Sequence, residues 1–287
     1  MPRASHEYCE LDREVFALLK SFGFEPKTIF DVGASGGYWS KMIAPVFPTA
    51  SFHLFEPLVD HLPRYRRDME EHLRQHPSFT LHKTALGDTS GETRMSVFPG
   101  GVGSTSLVIA DGHPGVSRVA VPVRRLDDVV RELRLPTPQV IKMDVQGAEL
   151  SVLKGARPLL AEVDVILAEC WLWRGYGENT PLLMEIAAWL AGFGFCLWDI
   201  GDAYREPDGI LTSLDCFFVN LRTMTGALGH RLGLPVLSGP QVQVLLRTLQ
   251  ARESEIAAMR ASRVWKLRDR WRTLTRWYRR PTLPKSK

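Results

Sequence analysis

The stretch TIFDVGASGGYWSKMI, Thr28 to Ile43, constrains this chain more than any other. An apolar run stops at an aspartate, glycines turn the chain, and a helical pattern follows. A strand that passes through a tight glycine turn into a helix aims backbone N–H groups at whatever sits above the turn. It therefore predicts a layered α/β fold with a cofactor at the carboxyl end of the strand.

The rest of the pattern agrees. Residues 7–22 read as a helix with Val15, Phe16, Leu18 and Leu19 on one side. Strands are predicted at 28–32, 50–55, 79–84, 140–143, 163–168, 195–200 and 216–219. Helices are expected at 37–43, 59–76, 149–160 and 181–191, with Pro45 and Pro48 ending the first and Gly192 and Gly194 the last. Residues 91–123 differ. Short alternating runs (RMSVF, SLVI, RVAVPV) separated by PGGVGST and DGHPG read as a β-rich, antiparallel insertion. The order as a whole predicts a doubly wound, Rossmann-like sheet.

Three cofactors use a turn of this kind. A phosphate-binding P-loop needs Gly, four residues, then Gly-Lys-Ser/Thr; Lys41 stands too far from the glycines. The dinucleotide fingerprint G-x-G-x-x-G fails at Ser35, where backbone must approach a pyrophosphate. The third pattern, acid-x-Gly-x-x-x-Gly, is met by Asp31, Gly33 and Gly37 and suits S-adenosylmethionine, which has no phosphate. The loop backbone (Gly33, Ala34, Ser35) and the helix start can hold its carboxylate, and Asp31 its ammonium side. Glu56 ends the second strand, placed to accept both ribose hydroxyls, as a dehydrogenase acid would also be.

DVGASGGYWS, FEPL, TALGDTSGE, LDDV and above all IKMDVQGAELSVLKGA resemble the FkbM-type S-adenosylmethionine-dependent methyltransferase family, over about residues 28–220. Family members often carry Glu where this chain has Gln146. The resemblance implies a class I methyltransferase fold, seven strands with the last antiparallel. It also implies O-methylation, commonly of sugars or secondary-metabolite hydroxyls. N-methylation of an amino sugar and a non-catalytic S-adenosylmethionine-binding scaffold are the alternatives.

Asp31, Glu56, Asp144 and Glu169 each close a predicted strand, where cofactor and substrate should meet. Asp144 is the first candidate for chemistry: a general base, a ligand of the cofactor amino group, or a metal ligand. Glu169 and His113 follow as candidate bases. Lys142 sits inside an apolar strand and needs a partner, which Asp144, two residues on, is placed to supply. Glu149 is expected to cap the next helix. Backbone of Ala85 or Leu86 is a candidate reader of the adenine edge, with Asp88 reaching its amino group. Trp171, Trp173 and Tyr176 are candidate stacking surfaces for a sugar acceptor, one tryptophan alternatively packing in the core. Residues 100–104 are a candidate lid hinge. No compact metal-ligand motif stands out, so metal independence is expected.

The remainder bounds the setting. Residues 1–223 form the expected methyltransferase domain, and 224–287 a linker and a helical extension. From Arg252 to Lys287 there are 12 Lys and Arg against 3 Asp and Glu, while the rest of the chain has 24 against 29. Val264, Leu267, Trp271, Leu274 and Tyr278 fall on one helical face of that basic tail. Docking or self-association, then a peripheral membrane contact, are its candidate roles; nucleic acid ranks last. The tail is similar to those of bacterial sugar-processing enzymes, which implies a glycan or glycolipid acceptor near the inner membrane face. No run of about 18 apolar residues occurs, and the N-terminus lacks a signal core, so a cytoplasmic protein is expected. Four dispersed cysteines suggest reduced thiols, with Cys170, Cys196 and Cys216 in apolar segments.

Overall fold

A computed structural model gives the fold and describes residues 9–98, 116–224 and Gly229. The chain divides into two units, Met1–Val236 and Leu237–Lys287, and every described residue belongs to the first. The candidate base His113, the lid hinge at 100–104, the SLVI run and the amphipathic tail all lie outside the described residues.

A seven-stranded sheet runs β3 (Phe79–His82), β2 (Ser51–Phe55), β1 (Thr28–Val32), β7 (Val140–Met143), β8 (Val165–Trp171), β10 (Leu211–Asn220), β9 (Phe195–Arg205). The first five strands are parallel, and β10 runs antiparallel to both of its neighbours. This is the class I methyltransferase arrangement. Strand order reverses between β1 and β7, so a crevice opens there above the carboxyl ends.

Both faces of the sheet are covered because the strands alternate apolar residues to both sides. Ile29, Phe52, Leu54, Phe217 and Val219 pack with Phe16 of α1 (Glu10–Ser21), Trp39 and Ile43 of α2 (Tyr38–Ile43) and Met69 of α3 (Pro63–Gln75). Phe30, Val32, Ile141, Ile166 and Phe218 pack on the other face. There they meet Leu126 and Val129 of α4 (Leu126–Leu133), Val152 and Leu153 of α5 (Glu149–Gly155), and Ile186 and Leu190 of α6 (Leu183–Ala191).

Several boundaries move. α3 starts at Pro63, not near Val59, because proline fits the first helical turn, where its missing N–H costs nothing. α5 stops at Gly155, and Pro158 sits in a short 3-10 turn, Arg157–Leu159. α4 is an addition to the expected helices; its LDDV opening is short and acidic. In the insertion, β5 (Gly91–Val97) pairs antiparallel with β6 (Ser117–Arg124), but β4 (Ala85–Leu86) adds to β6 in parallel. β9 and β10 are each longer than expected, reaching Arg205 and starting at Leu211, and this extension walls the crevice. Buried cysteines are Cys9, Cys170 and Cys216; Cys196, expected inside, is only half-buried.

Candidate active site

A cavity of about 820 Å³ opens at the reversal point, within the range usual for small-molecule sites. Its floor comes from the three loops that leave β1, β2 and β7. Gly33 and Ala34 donate their backbone N–H groups to the Phe55 carbonyl at 3.0 and 3.1 Å, which ties the first loop to β2. Gly33 has φ +77, and a Cβ there would stand 1.9 Å from the Asp144 carbonyl oxygen. Only a glycine lets the β1 and β7 loops approach so closely. Ser35, at φ +53, takes up the left-handed turn without a glycine and donates its N–H to Glu56 Oε2 at 2.8 Å. His72 of α3 holds the loop from behind, its Nδ1 2.8 Å from the Gly36 carbonyl oxygen.

Glu56 is almost fully buried and lines the cavity, with Oε1 accepting the Leu58 N–H at 2.8 Å. Burial pushes its carboxyl up to about 7, against the pull of those two N–H groups. A carboxylate offers about four acceptor positions, so both oxygens keep room for a hydroxyl pair. Phe55, Leu58, Tyr65, Ala85, Leu86 and Met95 give this lobe an apolar lining that suits a purine.

Asp31 does not reach the cavity. It is fully buried, accepts the Ser40 hydroxyl at 2.7 Å and lies 3.0 Å from Lys142 Nζ. Lys142 thus takes Asp31 as its near partner; Asp144, the expected one, is 4.0 Å away. The same ammonium donates to the Gly33 carbonyl at 3.2 Å. Burial works against the Lys142 charge, yet the Asp31 and Asp144 carboxylates outweigh it and hold its pKa above the ordinary lysine value. Asp31 and Lys142 form a buried strut under the glycine loop.

Above that strut stands a polar cluster. Asp144, partly exposed to the cavity, accepts Gln146 Nε2 at 2.5 Å. The same nitrogen lies 2.9 Å from Glu169 Oε2, and Glu169 Oε1 accepts the Ser213 hydroxyl at 2.8 Å. Tyr176 donates its hydroxyl to Gln146 Oε1. Glu169 is held well above the usual carboxylate range by burial, then by Asp144 and Glu149. Glu149, fully buried, accepts the N–H groups of Val145 and Gly147 at 3.3 and 3.1 Å. It therefore shapes the β7 loop rather than meeting a ligand, and burial raises it to about 7.

The remaining candidates separate. Trp171 lines the cavity, its ring edge-on to Tyr176 at 5.0 Å. Trp173 is half exposed and does not line it. Asp88, also outside, accepts the Ser151 hydroxyl of α5 at 3.1 Å and makes an ordinary turn contact. Gly37 caps α2 in the left-handed conformation. Among the described residues one group has metal-ligand spacing, Cys9, Asp12 and Asp202. Gln146, Tyr204, Thr212 and Ser213 line the site although the sequence pattern does not single them out. Gln146 stands in the most telling motif; the other three lie in the polar extension of β9 and β10, where apolar alternation has already stopped.

The sheet order and the crevice define a class I methyltransferase. The profile of the "Methyltransferase FkbM domain" matches residues 31–197, and this chain belongs to that family. It is a methyltransferase, and S-adenosylmethionine is its methyl donor. The chain is 26% identical over 175 residues to a protein named hexuronic acid methyltransferase AglP from Haloferax volcanii, covering 61% of this chain and 68% of that one. It is 27% identical over 188 residues to a 2-O-methyltransferase, NoeI, from Sinorhizobium fredii, covering 60% and 74%. A crystal structure of methyltransferase FkbM from Methylobacillus flagellatus superposes with a TM-score of 0.44 at 21% identity, over 68% of this chain and 43% of that chain.

The residues present fit the cofactor. The Gly33–Ser35 backbone and the Glu56 carboxylate line one cavity, together with the apolar Phe55, Leu58, Leu86 and Met95 that suit a purine. Among the described residues no helix is long and apolar enough to cross a membrane.

Proposed function

We propose that this methyltransferase transfers its methyl group to a hydroxyl of a saccharide, glycolipid or glycosylated metabolite, with Asp144 as general base. The observation that carries this reading is the position of Asp144. It is the accessible carboxylate of the cluster, at the end of β7 and directly across from the Gly33 loop.

When bound, S-adenosylmethionine supplies an electrophilic methyl group on a sulfonium that departs as a neutral thioether. The chain's residues do the rest. The Gly33–Ser35 backbone and Glu56 hold the cofactor. Trp171, Tyr204, Thr212 and Ser213 bound the acceptor lobe. Asp144 takes the proton as the acceptor oxygen bonds to the methyl carbon, then releases it to water through its exposed edge. A positioned base of this kind contributes ~10²–10⁴-fold. The name of one relative, a hexuronic acid methyltransferase, supports a saccharide acceptor, and that of the other, a 2-O-methyltransferase, supports transfer to oxygen.

The test is Asp144→Asn on the full chain. Calorimetric affinity for S-adenosylhomocysteine should stay within about threefold while turnover on a glycan acceptor falls at least about a hundredfold. Undiminished turnover would remove Asp144 from the role of base.

A further inference from the structure

We infer that Gln146 is a positioning residue whose side-chain amide clamps Asp144 and Glu169 together, doing the work that a shared proton or a bound cation does in other carboxylate pairs. The inference rests on the reading of Asp144 as base.

Two carboxylates that approach one another normally need a proton or a metal between them. Here one nitrogen, Gln146 Nε2, lies 2.5 Å from Asp144 Oδ1 and 2.9 Å from Glu169 Oε2. An amide nitrogen carries two hydrogens, one for each acid. The amide has only one workable orientation. Reversed, its oxygen would face two carboxylates; as it stands, that oxygen accepts the Tyr176 hydroxyl. Tyr176 is fixed in turn by its N–H to the Thr180 hydroxyl at 3.0 Å and by Trp171 against its edge. The backbone is set to deliver the side chain: Gln146 at φ +54 and Gly147 at φ +96 make a left-handed turn pinned by Glu149.

The electrostatic surroundings explain why a neutral clamp matters. Asp144 on the β7 loop, Glu149 on α5 and Lys142 on β7 act on Glu169 of β8, and Asp144, Glu169 and Asp12 of α1 act on Asp215 of β10, five acids against one ammonium. Asp31 already engages that ammonium at 3.0 Å. Burial, Asp144 and Glu149 all push the Glu169 carboxyl upward. Asp144, held by the amide, is the more open acid of the pair and the one that an acceptor hydroxyl can reach. A third carboxylate in place of the amide would make every proton in the cluster harder to remove.

Three variants of the full chain test this. Gln146→Gly removes the clamp at a position whose φ a glycine adopts freely, so folding is retained. Gln146→Glu keeps the shape but offers at most one donor. Tyr176→Phe frees the amide to turn. The readouts are kcat against pH on a glycan acceptor, KM, and calorimetric affinity for S-adenosylhomocysteine. Gln146→Gly should lose about tenfold to a hundredfold in kcat, with cofactor affinity within about threefold. Gln146→Glu should move the acid limb of the kcat profile upward by about one pH unit or more. Tyr176→Phe should show a smaller loss with no upward shift. Asp144→Asn, measured alongside, separates the two ideas. If it is inactive while the Gln146 variants match wild type in kcat and pH profile, the clamp is refuted and the base stands. If it is active, the base reading fails, and the clamp with it.

Discussion

Replacing Gly33 by alanine probes the contact that makes the cavity. The added methyl carbon would stand 1.9 Å from the Asp144 carbonyl oxygen and 2.8 Å from its carbon. A carbon–oxygen contact normally needs ~3.3 Å, so the β7 loop must retreat by more than an ångström. Backbone lies on both sides of the clash, so no side-chain rotation relieves it. Left-handed geometry at φ +77 adds ~1–2 kcal/mol for any residue with a Cβ. Overpacking of a tight site costs typically ~1–3 kcal/mol. Together these predict a loss of about 2–5 kcal/mol in urea unfolding. Gly23 is the internal control, because it has φ +96 and a methyl added there would meet nothing within 4 Å. Gly23→Ala should therefore show the conformational cost alone, about 1–2 kcal/mol. S-adenosylhomocysteine affinity, read by calorimetry at a temperature where both variants are folded, should fall at least about tenfold for Gly33→Ala and stay at wild type for Gly23→Ala. Equal losses in stability from the two variants would refute the close approach of the β1 and β7 loops.

Other consequences follow from the same geometry. Lys142→Met leaves Asp31 buried without its counter-ion and should cost about 3–5 kcal/mol in urea unfolding; adding Asp31→Asn should restore most of that, and no recovery would contradict the strut. Glu149 has its folded carboxyl raised from 4.5 to about 7, so the unfolded chain loses this proton first. Its contribution to stability is whole below pH ~4.5 and is lost as pH rises through about 7, on the order of 3 kcal/mol in all. Thermal melts of Glu149→Gln against wild type, without cofactor, should show the variant gaining on wild type across that window. In the acceptor lobe, Trp171→Ala should raise the acceptor KM about tenfold or more while Trp173→Ala leaves it within about twofold; equal effects would sink the assignment. Methyl transfer should be unchanged by EDTA, and a loss restored by Mg²⁺ would show that the acids hold a metal.

Much of the scaffold was legible in the chain because it rests on local rules. The fully buried run TIFDV, the left-handed needs of Gly33 and Gly37, and the apolar runs of β7 and β8 each specify one answer. The site was legible by position more than by role. Asp31 and Asp144 both end strands and read alike, yet one is sealed under Lys142 and Ser40 while the other opens to the cavity. That difference depends on how the glycine loop folds over the β1 side, which spacing does not encode. Gln146 carries a plain amide, and only the meeting of the β7 loop, β8 and the 171–182 segment gives it two acids and a phenol. Ser213 and Tyr204 sit where polar residues replace the apolar pattern, so the strand extension that brings them to the cavity left no periodic trace. Asp88 and Trp173 had suitable chemistry but lie outside the cavity, one tied to Ser151 and the other facing solvent.

The most direct test of the account is methyl transfer itself. The full chain would be incubated with S-adenosylmethionine carrying an isotopic label in its methyl group and with a panel of neutral, uronic and amino-sugar glycans. The product linkage would be read by NMR. The account predicts label in a methyl ether on a saccharide oxygen, abolished by Asp144→Asn while the cofactor still binds. Label on nitrogen, or bound cofactor with no transfer to any glycan, would contradict it.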